Sequence, residues 1–66
     1  MEHKKTDLAN VLDLLVEECA GVEKFKMLIE YTDDQKLKDE YMKALTDEKK
    51  HMKVFSGIAI EKINTL

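Results

Sequence analysis

Proline and tryptophan are absent from this chain, and its 66 residues hold one cysteine, two glycines, two phenylalanines and two tyrosines. The lone Cys19 excludes a disulfide within the chain. An excess of positive charge is lacking as well: the formal net charge is −3, which leaves a nucleic-acid role without electrostatic support. Lys49, Lys50 and Lys53 cluster, but acidic residues surround them, so they read as a solvated helix face. No apolar run approaches the roughly 20 residues that cross a bilayer, and no secretory signal is visible. With the single thiol, these absences make the cytoplasm the expected location.

What remains is 44 % hydrophobic and 38 % charged residues. That balance, free of proline, suits long amphipathic helices and argues against disorder. A chain this short forms one unit and buries only about 60 % of its unfolded surface. Natural chains of this size are usually completed by disulfides, a metal or a partner subunit. With disulfides excluded, a metal, a partner or both are expected.

From about Asp7 to Tyr31, apolar residues recur at steps of three and four: Leu8, Val11, Leu15, Val22, Phe25 and Ile29. Leu12, Leu14, Cys19 and Leu28 widen this stripe beyond a coiled-coil seam. Thr6 or Asp7 is the expected N-cap. A second pattern runs from about Asp34 toward Asn64 through Leu37, Tyr41, Ala44, Leu45, Met52, Phe55, Ile58 and Ile63. Thr32-Asp33-Asp34 supplies turn and capping chemistry between them. So short a connection makes the helices antiparallel neighbours. Gly21 is expected to permit close packing near the centre of the hairpin, and helix 2 could bend or stop at Gly57. The fold class is therefore all-α: a two-helix hairpin whose broad apolar face requires a second copy, giving a four-helix bundle.

The informative residues interrupt the stripes. The rhythm of helix 1 demands an inward residue at position 18, and that residue is Glu18. In helix 2 the inward positions between Ala44 and Phe55 include Glu48 and His51. Such side chains are costly to bury unpaired. With the turn at Asp33, residues whose numbers sum to about 66 lie level, so Glu18 and Glu48 both sit about 22 Å from the turn. By the same rule Leu15 faces His51 and Phe25 faces Tyr41. Glu48 and His51, three apart on one helix face, can share an ion. Two chains would then offer four Glu and two His, the ligand set of di-iron carboxylate bundles. Two divalent ions would neutralise four carboxylates that otherwise repel or take up protons. Iron or manganese suits oxygen donors with a few imidazoles, and zinc or cobalt could occupy the same set.

Other polar or reactive residues carry less. His3 belongs to a flexible terminus, and Glu17 faces solvent, where it could help attract ions. Phe25 and Tyr41 are expected in the core, Tyr31 as packing beside the turn, and Cys19 as a buried small hydrophobe. Met27, Met42 and Met52 are expected as gap-fillers.

The run Glu18-Cys19-Ala20-Gly21-Val22-Glu23-Lys24-Phe25, the stretch Asp33 through Tyr41, and Asp47-Glu48-Lys49-Lys50-His51 together resemble a half-length ferritin-like or rubrerythrin-like chain. The likeness is to the encapsulated-ferritin group in particular, and it covers about Leu8 to Ile58. The thirty-residue separation of Glu18 and Glu48, with His51 three later, is its strongest element. The resemblance implies a homodimer with iron held at its interface by Glu18, Glu48 and His51, which would be both metal ligands and catalytic residues. It further implies Fe(II) oxidation by dioxygen in iron storage or detoxification, and a ring of dimers. A nanocompartment shell is a further implied partner, although no shell-targeting tail is seen. The sequence departs from the family's pattern at Phe25, where a tyrosine is common, and in lacking rubredoxin-type cysteine pairs. A peroxide reductase on the same site and a non-enzymatic helical dimerisation module are the rival expectations.

Overall fold

A computed structural model describes residues 2–66 of the chain. Two helices, α1 (Glu2–Tyr31) and α2 (Gln35–Asn64), make up almost all of it, and no strand occurs among the described residues. They fold back as an antiparallel hairpin, a rod of 51 × 14 × 12 Å. No helix of the described residues is long and apolar enough to cross a membrane.

The turn forms as the polar residues before α2 dictate. Asp34 has extended backbone (φ −82°, ψ 112°) and its carboxylate accepts the Leu37 N–H at 3.1 Å. Thr32 Oγ1 in turn accepts the Asp34 N–H at 3.1 Å. Asp34 is thus the N-cap of α2, satisfying one of the amide groups that a helix start leaves without an intrahelical partner. At the far end, Lys62 lies in the last turn of α2, where a cation suits the helix dipole.

α1 begins earlier than Thr6 or Asp7, so neither residue is its N-cap. The physical reason lies in the opposite helix: Lys4 Nζ donates to the Thr65 carbonyl at 3.1 Å, and Asp7 lies 3.9 Å from Lys62 Nζ. These contacts hold the first turns of α1 against the end of α2, and Glu and Lys are good helix formers in any case. α2 does not stop at Gly57 but continues to Asn64.

The core is thin. Among the described residues only Val22 and Ala59 are buried, and Leu8, Val11, Leu15, Phe25, Ile29, Tyr41, Ala44, Leu45, Met52, Phe55 and Ile58 are half-buried. Phe25 and Tyr41 meet as expected, ring centroids 6.3 Å apart and tilted by 43°. Several residues expected inward are instead exposed: Leu12, Leu14, Leu37, Met27, Met42, Ile63, Tyr31 and Cys19. Each helix has a single neighbour, so one helix contact covers only part of each wide stripe. Tyr31, expected as packing beside the turn, is 78 % exposed.

Candidate metal centre

Two stripes with three–four spacing carry the centre. On α1 the stripe is Val11, Leu14, Glu18, Gly21, Phe25 and Leu28; on α2 it is Leu37, Tyr41, Ala44, Glu48, His51, Phe55 and Ile58. The Phe25–Tyr41 ring contact and the approach of Glu48 to Gly21 set the stripes side by side on one long face. Leu14, Leu37 and His51 are exposed there, so the face is open in a single hairpin.

Glu18, Glu48 and His51 converge: one donor atom from each lies within 4.8 Å of the others. Glu18 and Glu48 are half-buried and His51 is exposed, with 16 % of the Glu18 side chain exposed against 55 % for His51. His51 Nδ1 lies 3.3 Å from Glu18 Oε2. The equal-height rule paired His51 with Leu15, and the structure brings it to Glu18, one turn nearer the loop. Helical side chains lean toward the N-terminus of their own helix. In an antiparallel hairpin, Glu18 therefore leans away from the turn and His51 leans toward it, and the two meet.

The carboxyl group of Glu48 titrates above its ordinary value of 4.5, chiefly through a hydrogen bond with Glu18. Partial burial and the like charge of Glu18 push in the same direction, Asp47 adds to it, and His51 opposes it. Two carboxylates so close resist ionising together unless a cation joins them.

The three residues could hold a metal ion. Ligands about 2.1 Å from a shared ion lie at most about 4.2 Å apart, so a set already within 4.8 Å closes on an ion through small side-chain adjustments. Three donors from one chain leave coordination positions to be filled from the open face.

The remaining residues singled out by sequence fall elsewhere. Cys19 is exposed, one position past Glu18 and off the site-bearing stripe, so it is not the buried hydrophobe expected. Glu17 is exposed, and His3 is exposed at the far end of the rod. Sequence reasoning gave Gly21 only a packing role, whereas the Glu48 carboxylate occupies the space that a Cβ there would need. Its spacing one turn after Glu18 was the available signal. The chain matches no protein-family model, no curated protein and no solved structure.

Proposed function

We propose that this chain is one half of a symmetric homodimer that joins two hairpins into a ferritin-like four-helix bundle and binds two divalent metal ions, iron foremost, between them. The observation that carries this is the convergence of Glu18, Glu48 and His51 from both helices within 4.8 Å, on a face that one hairpin leaves open. The size of that face agrees: a rod 51 Å by 14 Å offers a footprint of about 700 Å², near the roughly 800 Å² per partner of ordinary stable interfaces.

In the dimer, the protomers together supply four carboxylates and two imidazoles, the donor set of di-metal carboxylate bundles. Bound iron would supply one-electron chemistry toward dioxygen, with Fe(II) as the substrate of a ferroxidase; manganese or zinc would fit the same donors. Glu18 and Glu48 act as deprotonated oxygen donors and His51 as a neutral nitrogen donor. Glu18, beside Nδ1, fixes the orientation of the His51 ring.

The test is oxidation of Fe(II) bound to the protein under dioxygen, followed by ferric absorbance and compared with Fe(II) in buffer. Acceleration that disappears in Glu18→Ala, Glu48→Ala and His51→Ala is the expected result. A rate equal to that of free iron would remove the ferroxidase proposal, and selective acceleration by peroxide would replace it with a peroxide reductase. A second reading, a non-enzymatic dimerisation module, is favoured by the exposed Leu12, Val16, Met27 and Ile60. It requires that the same three substitutions leave stability unchanged or raised, with no metal dependence.

A further inference from the structure

Gly21 stands one turn after Glu18 on α1, and the Glu48 carboxylate fills the space that a side chain there would take. A Cβ at position 21 would lie 2.9 Å from Glu48 Oε2, 3.0 Å from its Cδ and 3.4 Å from Oε1. Contacts that close are not tolerated, so any larger residue drives the carboxylate elsewhere. Backbone conformation does not require glycine, since no glycine of the hairpin has positive φ, and a helix interior favours alanine over glycine. Gly57 provides the comparison within the same molecule: a Cβ there meets nothing within 4 Å.

We propose that Gly21 is a positioning residue for Glu48, leaving the space in which its carboxylate lies beside Glu18 and so setting the donor geometry for a divalent cation. This rests on the metal-site proposal above. The blocked atoms are the free end of a flexible side chain, so the fold absorbs a methyl at position 21 by rotating Glu48 outward. Helix stability and metal affinity should therefore move in opposite directions. A glycine kept only for packing would not separate them.

The experiment compares Gly21→Ala, Gly57→Ala, Glu18→Ala and Glu48→Ala with the parent chain by Co(II) titration. Visible absorption reports coordination, circular dichroism reports metal-free melting, and light scattering reports molar mass. Gly21→Ala should melt at or above the parent temperature without metal and keep the parent mass. It should bind Co(II) at least about tenfold more weakly, the scale of losing a residue that orients a ligand, with an altered spectrum. Gly57→Ala should also melt higher but keep parent affinity and spectrum. In the Glu48→Ala background, Gly21→Ala should cause no further loss. Parent-like Co(II) affinity and spectrum in Gly21→Ala, with binding lost in Glu48→Ala, would overturn the role of Gly21 and leave the site standing. Loss of the parent mass or of the fold in Gly21→Ala would overturn it too, because the glycine would then serve helix or subunit packing. Co(II) binding that survives both Glu18→Ala and Glu48→Ala would instead defeat the site itself.

Discussion

Replacing Glu48 with alanine should uncouple the thermal stability of this protein from divalent metal. Without metal, the substitution removes one of two carboxyl groups that share a hydrogen bond and repel when ionised, so the melting temperature should stay level or rise. With metal, a ligand that binds only the folded state at a hundredfold excess over Kd stabilises by about 2.7 kcal/mol per site. Two ions in a dimer of 66-residue chains then give about 5 kcal/mol, or roughly 15–25 °C in melting temperature for a folding unit of this size. Differential scanning calorimetry of parent and variant, with Mn(II) and with a chelator, measures both terms. The parent should show the full shift and Glu48→Ala only a small remnant. An equal metal-induced shift in both proteins would refute the reasoning. So would a metal-free Glu48→Ala that melts far below the parent, because Glu48 would then be a structural residue.

Further outcomes follow from individual contacts. Glu48 titrates above 4.5 in the folded chain, so between 4.5 and that raised value the folded state binds more protons than the unfolded one. The contribution of Glu48 to metal-free stability should therefore be fully present below this window and be lost as pH rises through it, a trend that chemical denaturation of parent and Glu48→Gln across pH would detect. Metal affinity should run the opposite way, weakening as acid protonates the ligands; full affinity at pH 4 in a competition titration would count against the site. Asp34→Ala removes the cap on the Leu37 amide and should cost about 1 kcal/mol, seen as a lower melting temperature with metal stoichiometry unchanged. Leu14→Asp places a charge on the open site-bearing face and should reduce the molar mass by light scattering to that of a single chain.

Much of the architecture was legible because long helices announce themselves by period. The three–four recurrence from Leu8 to Ile29 and from Leu37 to Ile58 located both helices, and Thr32-Asp33-Asp34 located the turn within a residue. The Glu18–Glu48–His51 cluster of the candidate site was legible as a violation of that same pattern, since the three stand where apolar residues belong, and the structure brings them together. The partner of His51 was missed because equal height along the axes ignores the lean of side chains on antiparallel helices. The start of α1 was missed because Lys4 and Asp7 are held by residues some sixty positions away in sequence. Burial was overestimated at Cys19, Met27, Met42 and Tyr31, because a periodic stripe identifies an apolar face but not how much of it one neighbour covers. That uncovered surface is also the physical ground for expecting a second copy.

The most direct test of the central claim is an anaerobic Fe(II) titration of the purified chain, with molar mass measured by light scattering before and after. Saturation at one iron per chain in a dimer, or a multiple of dimers, is the predicted result. The absence of saturable binding, or tight binding by a single hairpin, would contradict a metal centre shared between two copies.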